Sequence, residues 1–161
     1  LINYGTIQKI IVNEVQMTVA GFIITELEKD RQQINTEFSV PLFNDILNEI
    51  KNNPQEKIGR DYFLNHIKSD FRSLSSFIVG EKHILSNWED KDIIVVKEED
   101  ILCKVTRESI LRFKLKRIQN ILSDMLLRLK QVDKNNHSII QDFSKLSSVE
   151  KKIQQQLGRI F

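Results

Sequence analysis

Apolar residues at Leu111, Leu115, Ile118, Leu122, Met125 and Leu129 step by four, three, four, three and four, the spacing of one face of a helix. A second set, Ile139, Phe143, Leu146, Val149, Ile153, Leu157 and Ile160, repeats nearly the same rhythm. Between them lie Asp133, Lys134, Asn135, Asn136 and His137, a polar, turn-prone stretch, with Ser138 and Gln141 placed as a capping box for the second helix. The spacing predicts two antiparallel arms of equal length, 111–134 and 138–161, each about 36 Å long at about 1.5 Å per residue. A hairpin with one narrow seam has little room to enclose a catalytic site. It reads as a surface for another protein.

Upstream, the pattern predicts a buried helix over Glu14 to Asp30 through Val15, Val19, Phe22, Ile23 and Leu27, preceded by a turn at Tyr4 and Gly5. Ser39 and Pro41 open a second helix with Leu42, Phe43, Ile46, Leu47 and Ile50 on its apolar face, and Asn52, Asn53 and Pro54 close it. A short helix around Asp61 to His66 follows, then one from Phe71 to Val79 that stops at Gly80. The stretch 81–97 holds the single Trp, Trp88, and the run Ile93 to Val96; with no second β-run to pair it, the run reads as a buried extended connection. Glu98, Glu99 and Asp100 then start a long helix, about 98–134, where the helix dipole favours negative charge. Its first half is apolar on two sides, with Leu102 and Phe113 opposite Leu111 and Leu115, so that half belongs in a bundle core and the rest projects as a hairpin arm. Phe43, Phe63 and Trp88 read as core. The expected fold is all-α: a globular helical bundle over 1–110, then a C-terminal antiparallel helical hairpin over 111–161, with the long helix bridging both.

Composition agrees. The chain has 161 residues, 40% hydrophobic and 29% charged, with only five Gly and two Pro, enough for one core and too few turn residues for an all-β fold. No run nears the roughly 18 uninterrupted apolar residues of a membrane span, and no signal peptide is evident. A lone Cys103 points to a cytoplasmic protein without disulfides or a thiolate metal cluster. The chain begins at Leu1 rather than Met, which reads as a piece of a longer protein. Charge is uneven: up to residue 97 there are 11 Lys and Arg against 14 Asp and Glu, and from 98 onward 13 against 8. Lys104, Arg107, Arg112, Lys114, Lys116 and Arg117 nevertheless spread around most of the helix circumference rather than forming a stripe for nucleic acid.

Familiar chemistry is missing from the sequence. The glycines at 5, 21, 59, 80 and 158 lie too far apart for a phosphate-cradling loop. His66, His83 and His137 fall in different elements with no CxxC or HExxH nearby, Ser75 and Ser76 lack a GxSxG turn, and Glu26 and Asp30 form an i,i+4 pair of the solvated kind.

The stretch Pro41 to Ile67, PLFNDILNEIKNNPQEKIGRDYFLNHI, resembles the C-terminal domain of bacterial replicative DNA primase of the DnaG type, in which a helix of the form xLFxxLxxxxxxxP precedes a short helix with an aromatic and a His. The resemblance continues through Leu85, Ser86, Trp88, Glu89 and Asp90, and then through 97–161, where ESILRFKLKRIQ and the closing EKKIQQQLGRIF are similar to the Bacteroidetes branch. It covers 14–161 in order. It implies a helical subdomain joined by a long helix to a hairpin that docks on the N-terminal collar of the replicative helicase of the DnaB type. It also implies a non-catalytic segment without cofactors of its own, the primer-synthesising site with its zinc and magnesium lying upstream in the parent primase.

On that reading the exposed end of the hairpin carries the contact, through Lys145, Lys151, Gln154, Gln155, Leu157, Arg159, Ile160 and Phe161. Ile160 and Phe161 are apolar near a terminus, where fraying is the default, and suit an anchor in a partner's groove. Two other readings stand beside it: a nucleic-acid module using the basic long helix, and a coiled-coil element that self-associates through the same seam.

Overall fold

A computed structural model describes residues 1–29, 37–53, 57–80, 101–131 and 137–158. Trp88, Ile93 to Val96, Glu98 to Asp100 and Arg159 to Phe161 lie outside them. In chain order the elements are β1 (Lys9–Val12), β2 (Val15–Thr18), α1 (Val19–Lys29), α2 (Pro41–Asn52), α3 (Arg60–Leu64), α4 (Ser69–Gly80), α5 (Leu102–Gln131) and α6 (His137–Gln156). The chain divides into two compact units, one comprising Leu1–Glu28 with Glu37–Thr106, the other containing Arg107–Phe161. The division falls within α5.

The fold is mostly helical, as the periodicity requires, but not all-α. Residues 9–18 form a two-stranded antiparallel sheet with Ile10 opposite Met17 and Val12 opposite Val15. The expected helix from Glu14 therefore begins only at Val19, and Val15 is an exposed strand residue. Two local causes decide it. Asn13 and Glu14 both have positive φ, 49° and 67°, which makes the two-residue connection a primed turn whose twist suits a hairpin. Thr18 Oγ1 then accepts the Gly21 N–H at 3.0 Å, so Thr18 acts as the N-cap of α1 and fixes its start.

Gly5 closes the turn that leads into β1. Its φ is +33°, a region closed to most side chains, and its N–H donates to Leu1 O at 2.6 Å. Next to it, Thr6 N–H donates to Ile58 O at 2.8 Å and Ile58 N–H donates to Thr6 Oγ1 at 2.7 Å. This pairing joins residues 52 positions apart and leaves no room for a Cβ on Gly5, which would fall against the Ile58 carbonyl.

One buried cluster of this unit is Ile2, Ala20, Ile46, Ile50, Ile58, Phe63 and Phe71. Phe63 is completely buried, as the pattern predicts. Phe43 is 40% exposed and is not core; it meets Phe38 edge-on, with ring centroids 6.0 Å apart. The reason lies in how α2 starts. Val40, not Ser39, is the N-cap, it makes no side-chain cap bond, and Pro41 occupies the first turn. Asn44 instead fastens the incoming chain, accepting the Phe38 N–H and donating to Phe38 O, both at 2.8 Å, which holds Phe38 beside Phe43 at the rim.

A polar cluster sits where α2 meets α3. The Glu49 carboxylate accepts the Tyr62 phenol at 2.7 Å and lies 3.4 Å from His66 Nε2. Lys68 N–H donates to His66 Nδ1 at 3.1 Å, so Nε2 carries the ring proton and donates to Glu49. The imidazole lies 4.6 Å from the Phe71 ring centroid. The hydrogen bond from Tyr62, with a lesser one from His66, holds the Glu49 carboxyl below its ordinary pKa, against the opposing effect of burial. Together these contacts fasten α2 to the α3–α4 corner.

Candidate partner-docking surface

The second unit is the hairpin. Leu115, Ile118, Leu122 and Ile153 are buried between α5 and α6, and Leu111, Ile121, Phe143, Leu146 and Leu157 pack partly buried against them. Gln119 Nε2 donates to Glu150 Oε1 at 3.0 Å, and Gln154 Nε2 donates to the same oxygen at 3.0 Å. Gln119 and Glu150 lie nearly equally far along the chain from the break at 132–136, which fixes the antiparallel register expected of the two seams. The second arm is shorter than its pattern suggests. Helix α6 starts at His137, which puts Ser138 inside the first turn rather than in a capping position. At its other end α6 stops at Gln156: Gly158 takes φ +67° and its N–H donates to Gln155 O at 2.9 Å, the left-handed glycine that ends many helices. The expected run of helix to 161 is therefore interrupted by an ordinary stop signal that apolar spacing conceals.

The predicted contact residues do not share one face. Lys151, Gln154 and Gln155 cluster on one side of α6, whereas Lys145 sits about 120° round the helix from Lys151 at about 100° per residue. Lys145 is exposed and lies 3.8 Å from Asp142, Gln154 is engaged with Glu150, and Leu157 is partly buried against the seam. Arg159, Ile160 and Phe161 lie outside the described residues. Apolar periodicity could not find a different set: Leu126, Leu127, Ile140 and Val149 are exposed on the hairpin away from the seam. Their signal in the sequence is that they break the seam's rhythm rather than join it, Val149 excepted.

The basic residues of α5 give no continuous cationic stripe. Lys114 is buried, Arg112 pairs with Glu108 at 2.9 Å, and the Arg117 guanidinium lies 5.6 Å from the Phe113 ring centroid. Over 107–131 and 137–158 the hairpin still carries ten Lys and Arg against four Asp and Glu. No group of three or more His, Cys, Asp or Glu among the described residues is placed to hold a metal ion. Ser75 is buried and donates to Phe71 O at 2.7 Å, a helix-internal bond rather than a poised nucleophile. No helix among the described residues is long and apolar enough to cross a membrane.

These features define a mostly helical protein, one of whose two units is a two-helix hairpin. The chain belongs to the family described as "Domain of unknown function (DUF8430)", whose model matches residues 1–160. It is also similar to the DNA primase large subunit PriL of Thermoplasma acidophilum, 28% identical over 95 residues. That match covers 58% of this chain and spans 28% of the relative's length. The similarity is thus to a primase, but to an archaeal large subunit rather than to the bacterial type that the motifs resemble. No solved structure matches.

Proposed function

We propose that this chain is the C-terminal domain of a bacterial replicative DNA primase of the DnaG type, and that its hairpin docks on the N-terminal domain of the replicative helicase, coupling primer synthesis to unwinding. The observation that carries the reading is the α5–α6 hairpin: two helices joined by a single seam, with an excess of positive charge and exposed aliphatic side chains off that seam. Such a surface gains from a protein partner what it does not gain from solvent. The similarity to a primase large subunit supports the wider reading, a primase relation. The ordered motifs of 41–67 and 97–161 support the narrower one. On this reading the segment is non-catalytic and cytoplasmic, and the polymerase site, zinc and magnesium belong to other parts of the parent chain. Direct nucleic-acid binding plays no part in it.

A second reading, that the chain is a segment of a primase large subunit, draws on the name of the Thermoplasma relative. Calorimetric titration of the chain into the N-terminal domain of the helicase from the same organism separates the two. The primase-tail reading expects binding, and expects Ile160→Ala combined with Phe161→Ala to weaken it about tenfold, near 1.4 kcal/mol, with helix content unchanged. An absence of binding by the unaltered chain would overturn the helicase reading and leave the second one.

A further inference from the structure

Among the described residues four aliphatic side chains stand exposed on the hairpin, and two of them share a flank. Leu126 is 45% and Ile140 47% exposed. Leu126 follows the seam residue Leu122 by four positions and lies about 40° past it; Ile140 precedes Phe143 by three and lies about 60° from it, at about 100° per residue. Both are rotated off the seam in the same sense along their own helices. Because the helices face each other and run in opposite directions, that common sense brings both to the same flank. The register set by the Gln119–Glu150 bond places them within about three residues of each other along the axis, roughly 5 Å at about 1.5 Å per residue. Leu127 points about 100° further round α5, and Val149 falls on the opposite flank.

The charges on this flank select what can cover it. Lys130 lies one turn beyond Leu126, and Lys151, Gln154 and Glu150 lie on the same side of α6 nearer its C-terminal end, where the Glu150 carboxylate is engaged by Gln119 and Gln154. A second copy of the hairpin would bring the same excess of six positive charges against this one, which opposes pairing like with like. A phosphate backbone would satisfy the lysines but gain nothing from two aliphatic side chains at the centre. A protein surface with an apolar centre and carboxylates at its edge satisfies both.

We infer that the flank carrying Leu126 and Ile140, with Lys130 and Lys151 along it, is the principal contact surface of the hairpin, and that it takes an acid-rimmed apolar patch on a protein partner. The inference rests on the reading above for the identity of that partner, the helicase N-terminal domain. It adds to the contact proposed for the terminal residues the flank nearer residues 132–136. Both side chains are exposed, so replacing them leaves the seam intact.

The test is calorimetric titration of the full 161-residue chain into the helicase N-terminal domain. Leu126→Gln with Ile140→Gln should weaken binding by at least about tenfold, while Leu127→Gln with Val149→Gln, off the flank, should leave it within about twofold. Lys130→Glu with Lys151→Glu should weaken binding most at low salt. Circular dichroism should show all three variants as helical as the parent. If the parent binds and the Leu126/Ile140 variant binds equally well, the flank inference is wrong and the helicase reading stands. If the parent does not bind, the helicase reading falls and takes the assigned partner with it. Two further results would also overturn the inference. One is a parent dimer that the Leu126/Ile140 variant converts to monomer in sedimentation, which assigns the flank to a second copy. The other is steeply salt-dependent binding of single-stranded DNA that only the lysine variant loses, which assigns it to phosphate.

Discussion

Replacing Gly5 by Ala should destabilise the chain severely, while the same change at Gly80 should not. At Gly5 two costs add. An L side chain at φ +33° costs roughly 1–2 kcal/mol in the left-handed region. The new methyl would also press on the Ile58 carbonyl, and the simplest relief is to separate residues 5 and 6 from Ile58. That breaks the Thr6 N–H to Ile58 O bond and the Ile58 N–H to Thr6 Oγ1 bond, each contributing about 0.5–1.5 kcal/mol net. The total is about 2–5 kcal/mol. At Gly80, the last residue of α4, a Cβ meets nothing within 4 Å, and Ala should be neutral or stabilising by up to about 1 kcal/mol through reduced freedom of the unfolded chain. Urea unfolding followed by far-ultraviolet circular dichroism measures both, with helix content in the absence of denaturant as the control. A loss below about 1 kcal/mol for Gly5→Ala would refute the reasoning, because it would mean that the Thr6–Ile58 pairing neither blocks the methyl nor matters to the fold.

Tyr62→Phe removes the phenol that contributes most to lowering the Glu49 pKa, and a hydrogen bond to a partly exposed carboxylate should be worth about 1 kcal/mol. Since the folded-state pKa of Glu49 lies below its unfolded value, the stabilisation is present at neutral pH and fades as pH falls through the folded value; comparing parent and variant in urea at neutral and acid pH should show the gap closing, and a pH-independent gap would exclude this coupling. Phe63→Ala should cost about 3–5 kcal/mol, as for a fully buried aromatic, whereas Phe43→Ala, half-exposed at the rim, should cost less than about 2 kcal/mol. Equal losses in denaturant titrations would contradict the burial pattern.

Long apolar periodicity made the helices legible, and short-range backbone chemistry hid the rest. The hairpin seam and the Pro41 helix follow from spacing and from residues that start and end helices. The β1–β2 hairpin escaped because its signal is weak in composition. Asn13–Glu14 is not the Asn–Gly pair that announces a primed turn, and Val15, Val19 and Phe22 fit a helical face as well as they fit a strand followed by a capped helix. Phe43 sits at a helical spacing that matches the core, but the spacing cannot say that Asn44 draws Phe38 to the rim beside it. The candidate contact surface was least legible. Outward-facing apolar residues on a narrow hairpin are those outside the dominant period, and Leu126 and Ile140 become visible only once the register of the arms fixes which flank each one shares.

Burial along the hairpin is graded, and the gradient has a mechanical reading. Leu115, Ile118, Leu122 and Ile153 are buried along the middle of the seam, whereas Met125, Leu129, Ile139 and Phe143, nearer residues 132–136, are only partly covered, as are Leu111 and Leu157 at the other end. Amide hydrogens should therefore exchange with solvent faster in 125–131 and 137–143 than around Ile118 and Ile153, the opening of each backbone segment tracking its local burial. A ligand seated near the break would then act as a clasp on an end that breathes, and its arrival would register as slowed exchange in amides it does not touch.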